Sequence, residues 1–170
     1  MSSNFPITKQ YVNEYSKSQE SEIKKRLKNH GKYASGSLYN SIKVIPKETK
    51  NSFLVEYYMN EYGKFIDKGV KGSKQNRAGN TPYKYTNKMP PVKAFDKWVV
   101  KKGIAPRGEN GKFLSRKSIK FAIARSIFLR GIVPTNFFTI PFKRTQKQFE
   151  KGIEKSMAKD LDNQAKKLNE

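Results

Sequence analysis

The sequence of 170 residues contains no cysteine, and it has only one histidine and one tryptophan. The absence of cysteine excludes disulfides, thiolate zinc sites and cysteine nucleophiles. A single histidine cannot supply a histidine pair for a metal site, and neither a P-loop nor a GxGxxG pattern is present. We therefore expect a protein that is not an enzyme, with no catalytic residue, cofactor, metal or small-molecule substrate.

Long hydrophobic runs are also missing. No apolar stretch approaches the roughly 20 residues that a membrane span needs, and the N-terminal residues lack the charged and apolar regions of a signal peptide. Hydrophobic residues make up 35% of the chain, but 11 Phe and 9 Tyr can build a core from few side chains. We expect no membrane partner. We also expect a single domain over residues 1–170, with a small hydrophobic core that contacts with partner subunits complete.

Acidic residues are scarce in the middle of the chain. Between residues 64 and 130 there are 18 Lys or Arg and three acids, so this segment carries +15 of the net charge of +22. The first 63 residues hold 10 basic and 6 acidic groups, and the last 40 hold 8 and 5. Such a local excess of positive charge favours a negatively charged partner, either nucleic acid or an acidic protein.

The first half of the sequence predicts a helix followed by a hairpin. Residues 8–30 have an amphipathic helical pattern, with Thr8 as the expected N-cap and Gly31 as the C-cap glycine. Residues 35–69 form a predicted β-hairpin region, because two stretches rich in β-forming residues flank a polar turn. Its last part, residues 62–69, fits one or two helical turns or a brief strand.

The second half predicts a loop and three helices. Residues 70–88 form a long basic loop that we expect to order on contact with a partner. Residues 90–131 contain two inserted helices, the second capped by Ser115, and we expect this second helix to be the most buried one. Residues 132–170 form an extended segment and a C-terminal helix. The narrow apolar stripe of that helix fits docking on its own sheet, pairing with a neighbour, or both.

Nine basic side chains of the middle region are the candidate contacts with DNA or with an acidic partner. Lysines outnumber arginines in the loop, which favours diffuse neutralisation of phosphates over reading of bases. The alternative is a solvated basic face without a dedicated ligand. Tyr83 and Tyr85 fit either stacking on bases or packing against the protein. The nine residues are Lys71, Lys74, Arg77, Lys84, Lys88, Arg107, Lys112, Arg116 and Lys117.

Nuclease activity is the enzymatic alternative for a basic protein. The stretch Glu48-Thr49-Lys50 is similar to the acid-x-lysine element of some nucleases, but it falls in the predicted hairpin turn. Glu56 is the only acid on the neighbouring predicted strand. His30, at the predicted end of the first helix, fits the negative end of the helix dipole better than the role of a base. We therefore expect no two-metal site.

Three short motifs follow one another in a recognisable order along the chain. Ser35–Val44 has the pattern small-Gly-x-Leu-x-x-Ser-Ile before the first predicted strand. Tyr62–Gly69 has the pattern aromatic-x-x-hydrophobic-hydrophobic and ends in glycine, and Pro134–Pro141 has the pattern Pro-x-x-Phe-Phe/Leu-x-x-Pro before the last helix. In this order the three motifs resemble those of the head–tail joining proteins (neck or tail-completion proteins) of tailed phages.

The inserted helices resemble those of longer members, including virion proteins of crAss-like phages. Residues 97–104 and 122–127 carry this likeness, and the whole resemblance extends over about residues 8–168. The loop 70–88 and the connector 103–114 depart from the compact pattern of the family, so the family assigns no role to either.

The resemblance implies an α+β fold, in which a small antiparallel β-sheet is packed with helices that include a long C-terminal helix. It implies a structural virion protein, made in the bacterial cytoplasm, that forms a homo-oligomeric ring between the portal and other neck or tail proteins. Double-stranded DNA passes through such rings, so the basic face would make weak, sequence-independent contacts with DNA or would meet an acidic neighbouring protein. A non-virion basic nucleic-acid-binding protein is the alternative function.

Overall fold

The computed structural model describes residues 5–31, 36–49 and 52–168, which form an α+β fold with a long C-terminal helix, as the resemblance implies. Ser35 and Lys50, which belong to two of the motifs above, lie outside the described residues. In chain order the elements are α1 (Pro6–Asn29), α2 (Ser37–Ser41), β1 (Lys43–Glu48), β2 (Phe53–Tyr58), α3 (Gly63–Lys68), β3 (Val70–Lys71), a 3-10 helix (Val92–Phe95), α4 (Asp96–Lys101), α5 (Arg116–Arg130), β4 (Gly131–Ile132) and α6 (Thr139–Leu168).

The chain groups into two compact units that alternate along the sequence. Unit 1 contains residues 1–28, 39–60 and 137–170, and therefore α1, the β1–β2 hairpin and α6. Unit 2 contains residues 29–38 and 61–136, and therefore α3, the β3–β4 pair, the 3-10 helix, α4 and α5. The sequence predicts one domain, whereas each of these units buries its own set of side chains.

In unit 1, α1 and α6 pack antiparallel. The buried positions of α1 recur every three or four residues, which places them on one face of the helix. Along that face, Tyr15 packs on Phe149 with ring centroids 4.2 Å apart, and Gln19 donates a 2.7 Å hydrogen bond to the Thr145 hydroxyl. The ring of Tyr11 lies where a Cβ on Gly152 would project, so this glycine lets the two helices approach closely.

The first turn of α1 is capped by a residue of α6. The buried Asp160 carboxylate accepts hydrogen bonds from the backbone N–H groups of Ile7 (3.0 Å) and Thr8 (2.8 Å) and from the Thr8 hydroxyl (2.8 Å). The prediction that Thr8 is the N-cap is therefore wrong. The helix begins earlier, at Pro6, and the carboxylate satisfies first-turn donors that have no partner within the helix. The predicted C-cap glycine, Gly31, has a φ of +64°.

The β1–β2 hairpin lies against both long helices of unit 1. The strands pair antiparallel from Lys43 opposite Tyr58 to Glu48 opposite Phe53, which confirms the predicted hairpin. Tyr57 packs edge-on against Phe138 and Phe142 of the α6 region, at 5.3 and 5.6 Å between centroids. Burial, together with the neighbouring Tyr15 hydroxyl, raises the pKa of Tyr57 above its ordinary value.

In unit 2, a junction of three glycines joins the β3–β4 pair to the end of α5. Val70 pairs with Ile132, and Lys71 pairs with Gly131. A Cβ on Gly131 would lie 2.2 Å from the Val70 carbonyl oxygen, and a Cβ on Gly72 would lie 2.3 Å from the Leu129 carbonyl oxygen. A Cβ on Gly69 would meet the Ile132 carbonyl oxygen at 2.6 Å. The backbones at this junction are therefore closer than any side chain allows.

The segment 70–88 is folded back onto unit 2. The backbone of Lys71 pairs with residues 83–85 in a short parallel bridge, and Ala78 and Thr81 are buried. The N–H groups of residues 73–75 donate to the last carbonyls of α5, at Phe128 and Leu129. The segment has little regular structure, as predicted, and its backbone is hydrogen-bonded to the end of α5, while its ordering by a partner stays a prediction.

The inserted helices begin where predicted, but the expectation that α5 is the most buried helix is wrong. The Ser115 side chain caps α5 by accepting from the Ser118 N–H at 3.1 Å, and Asn110-Gly111 lies in a tight turn. Only Ile119 and Ala124 of α5 are buried, whereas α1 buries six residues. The wide apolar sector of α5 is partly exposed, since Phe121 retains 48% of its accessible surface.

The apolar stripe of α6 is also only partly covered. Phe149 packs against α1, but the buried residues of α6 are Pro141, Ser156 and Asp160. Towards the C-terminal end Met157, Leu161 and Leu168 are exposed, with Leu168 keeping 86% of its surface. Small and polar residues therefore face α1, and about half of the predicted stripe faces outward.

Candidate functional surface

Positive charge is concentrated in unit 2. By sequence this unit holds 19 Lys or Arg and 4 acids, a net charge of +15, while unit 1 holds 17 and 10, a net charge of +7. The two units are nearly equal in length, with 86 and 84 residues. Because charges beyond a Debye length of about 8–10 Å are screened, this local density decides how unit 2 meets a charged partner.

The acids of unit 2 neutralise little of this charge. Asp67 is buried, and Asp96 forms an ion pair with Lys120 between α4 and α5. Glu61 and Glu109 are exposed. By sequence, four acids face 19 Lys or Arg in this unit, so the acids are too few to neutralise most of its basic side chains.

The five candidate residues of the loop are placed by the folded-back segment 70–88. Lys71 and Lys84 are backbone partners in the parallel bridge. Lys74 stands at the C-terminal end of α5, where its backbone N–H donates to the Leu129 carbonyl at 3.1 Å. Arg77 and Lys88 are exposed.

Of the four candidate residues near α5, Arg107 and Lys112 belong to a small hairpin, and the other two begin the helix. Arg107 pairs with Phe113 in an antiparallel bridge, and its guanidinium lies 4.7 Å from the centre of the Phe113 ring. Arg116 and Lys117 form the first turn of α5, which contains no acid. Cations at a helix N-terminus are unfavourable because the helix dipole is positive there. This end of α5 is therefore better suited to a bound anion than to solvent alone.

The structure brings together only some members of the candidate set. Lys71 and Lys84 are adjacent, and Arg107 and Lys112 belong to the same hairpin. Among the residues described, no hydrogen bond, ion pair or ring contact joins a side chain of the loop group to one of the α5 group. The nine residues are therefore two basic patches of unit 2, which we call the loop patch (residues 71–88) and the connector patch (residues 107–117).

The two tyrosines of the loop pack against the protein. Tyr83 meets Phe65 edge-on with centroids 4.7 Å apart, and Tyr85 lies 6.2 Å from Phe128. Burial raises the pKa of Tyr85 above its ordinary value. Of the two sequence interpretations, packing is the one found, and these rings are engaged in the fold rather than presented for base stacking.

Apolar side chains accompany the connector patch. Phe113 and Val100 retain 65% and 61% of their accessible surface, and Leu114 and Phe121 are also exposed. Apolar groups of this size interspersed with basic side chains are more typical of a protein interface than of a phosphate-binding surface. The exposure of these four residues is visible only in the structure.

The acids of the nuclease alternative are engaged in ion pairs on the hairpin. Glu48 lies 3.0 Å from the ammonium group of Lys9, and Glu56 lies 2.8 Å from that of Lys47. Hydrogen bonds from Lys47 and Tyr58 lower the pKa of Glu56. In the described ranges no group of three or more His, Cys, Asp or Glu side chains is placed to hold a metal ion.

Within the same ranges, every helix is too short or too polar to cross a bilayer.

Comparisons with known proteins add no relative to this description. No protein-family model, no curated protein and no solved structure matches the chain.

Proposed function

We propose that this chain is a structural subunit of the head–tail connector of a tailed bacteriophage, a neck or tail-completion protein that assembles into a ring. Its basic face would be directed towards DNA or towards acidic neighbouring proteins. The observation that carries the proposal is that unit 2 combines a net charge of +15 with exposed apolar side chains. The resemblance of three ordered sequence segments supplies the family.

The segments that carry the resemblance occupy structurally constrained positions. Tyr62–Gly69 forms α3 and ends at Gly69, whose φ and ψ of 71° and 175° lie in a region open to glycine alone. Pro134–Pro141 leads into α6 and contains Phe137, which is fully buried. These positions support the resemblance because a family motif persists where backbone geometry or packing restricts the choice of residue.

Exposed apolar surface supports assembly into an oligomer. In unit 2 it lies at Val100, Phe113 and Phe121, and in unit 1 it lies at Met157 and Leu161. In a ring, each subunit buries one surface against the next, and each unit has a surface of this kind. The same contacts would complete a core that is small for a chain of this length.

The first test is the mass of the protein in solution. We expect light scattering after size exclusion, in moderate salt, to give a multiple of the 19.6 kDa subunit mass, and electron micrographs to show closed rings. Phe113→Ser together with Leu114→Ser, both exposed residues of the connector patch, should shift the mass towards the monomer if this patch forms the subunit contact. A stable monomer at micromolar concentration that binds duplex DNA tightly would contradict the ring and favour the alternative function.

The alternative, a non-virion nucleic-acid-binding protein, is favoured by the density of uncompensated cations in the loop patch. If about six phosphates are neutralised, the logarithm of the affinity for duplex DNA should fall with that of salt concentration with a slope near −5. Replacing Lys74, Arg77 and Lys84 by glutamine should reduce the slope to about −3. The control is Lys147, Lys151 and Lys155 replaced by glutamine, which makes the same change of charge on α6 of unit 1. An equal reduction by both variants would exclude a phosphate-binding role for the loop patch.

A further inference from the structure

A cleft of about 560 Å³ lies in unit 1 beside α1. None of its lining residues belongs to the loop patch or to the connector patch. Its lining includes Lys17, Lys24, Lys25 and Lys28 of α1 together with Glu20 and Tyr39. Four lysines and one carboxylate give this lining a net charge of +3. The volume lies in the range of small-ligand sites. The sequence analysis treated these lysines as an ordinary charged helix face.

The only carboxylate in the lining is already engaged. One Glu20 oxygen accepts from the Lys24 ammonium at 2.6 Å, and the other accepts from the Val44 backbone N–H at 3.0 Å. Partial burial raises the pKa of Glu20, but these hydrogen bonds and the charges of Lys24 and Lys43 outweigh it, so the pKa lies below its ordinary value. Glu20 therefore stays ionised at neutral pH, and its charge is directed at Lys24 and β1.

Among the described residues, Lys24 has a carboxylate partner and the other three lysines of the cleft do not. Lys24 is held by Glu20 and lies 5.5 Å from the centre of the Tyr39 ring. Lys17, Lys25 and Lys28 are exposed, and no carboxylate among the described residues lies within ion-pair distance of them. Lys24 and Lys25 stand four and three residues before Lys28, spacings at which like charges destabilise a helix. An anion bound between them would relieve this repulsion.

From these contacts we infer that the cleft formed by Lys17, Lys24, Lys25 and Lys28 binds phosphate groups. Compact ammonium groups on flexible stems bind phosphate oxygens as point charges and do not need the bidentate geometry that an arginine imposes. More than one phosphate fits the volume and the net charge of the lining. The phosphates could belong to a nucleic-acid backbone or to a free oligophosphate. The inference is independent of the proposed function, which concerns unit 2 and assembly.

Acetylation of lysines, read by mass spectrometry, tests the cleft residue by residue. The full chain is labelled alone, with saturating tripolyphosphate, and with a 20-base-pair duplex. We expect about fivefold slower acetylation of Lys25 and Lys28 with the ligand that occupies the cleft, and no change at Lys151 and Lys155, exposed lysines on α6 of the same unit. Protection by tripolyphosphate assigns a free oligophosphate as a sufficient ligand. Protection by duplex alone assigns the backbone phosphates of nucleic acid.

A pair of matched variants gives an independent measure. Lys25→Gln with Lys28→Gln should weaken binding of the protecting ligand about fivefold, whereas Lys151→Gln with Lys155→Gln should change it less than twofold. None of these four side chains makes an ion pair among the described residues, so both variants should fold. Equal weakening by both variants would mean diffuse attraction and would overturn the cleft. Unchanged labelling of Lys25 and Lys28 in both arms would overturn it as well, without bearing on ring assembly.

Discussion

Replacement of Gly131 by alanine is expected to lower the free energy of unfolding of unit 2 by about 3–5 kcal/mol. Gly131 has φ and ψ of 83° and −172°, a region that is essentially restricted to glycine. The new Cβ would also lie 2.2 Å from the Val70 carbonyl oxygen, so the β3–β4 pair would have to move. Trp98, the single tryptophan, belongs to α4 in unit 2, so its fluorescence during urea unfolding measures this loss.

Substitutions at two further glycines separate the cost in stability of backbone strain from that of steric overlap. Gly72 has no positive φ, but its Cβ would lie within 2.6 Å of backbone atoms of residues 129–131. Gly79 has a φ of +65° and open space around its Cβ. Gly79→Ala should therefore cost about 1–2 kcal/mol from strain alone, and Gly72→Ala about 2–3 kcal/mol from overlap. If Gly131→Ala were no worse than Gly79→Ala, the close approach at the glycine junction would be wrong.

Replacement of Asp160 by alanine is expected to cost about 2–4 kcal/mol of the stability of unit 1. The substitution removes the acceptor of three hydrogen bonds and leaves the N–H groups of Ile7 and Thr8 without a partner at the start of α1. Asp162, two residues later on α6, is exposed and provides the control. Asp162→Ala should change the free energy of unfolding by less than about 0.5 kcal/mol. Urea unfolding followed by far-ultraviolet circular dichroism makes the comparison.

The contribution of Asp160 should depend on pH in a defined direction. Burial raises the pKa of Asp160, but the hydrogen bonds from Thr8 and Ile7 outweigh it, so the pKa in the folded protein lies below its ordinary value. The stabilisation is therefore fully present above the unfolded pKa of about 3.9 and is lost as pH falls through the lower folded pKa. The stability difference between the protein and its Asp160→Asn variant should be constant from about pH 8 to 5 and shrink below about pH 4. A difference that grew on acidification would contradict this assignment.

Local signals in the sequence predicted the helices and the hairpin well. Ser115 lies before a run of apolar residues at helical spacing, and α5 begins at the next residue, Arg116. Alternating β-forming residues on both sides of a polar turn predicted the β1–β2 pairing. Such signals act between residues a few positions apart, so they can be recognised without knowledge of the rest of the fold.

The candidate surface was predicted only in part. The charge excess of unit 2 follows from the sequence, because it depends on composition over a continuous stretch. Its division into a loop patch and a connector patch follows from the sequence as well, but the pairing of Lys71 with Lys84 does not, because it arises from the folding back of the loop. The sequence could not show that Phe113 is exposed while Tyr83 and Tyr85 pack against the protein, because aromatic residues occur both in cores and at interfaces.

The sequence by itself determined the extent of α5, the β1–β2 hairpin and the concentration of positive charge, because each depends on neighbours along the chain, and the resemblance to a family implied the class of fold. Tertiary structure alone decided that Asp160 caps a helix 152 residues earlier, at Thr8, and that Gly72 and Gly131 must have no side chain. It also decided that one oxygen of Glu20 is held by the Val44 N–H of β1, so that this carboxylate does not serve the exposed lysines of the cleft. These features depend on the distance between groups far apart in the chain, and that distance is fixed only when the helices and strands pack.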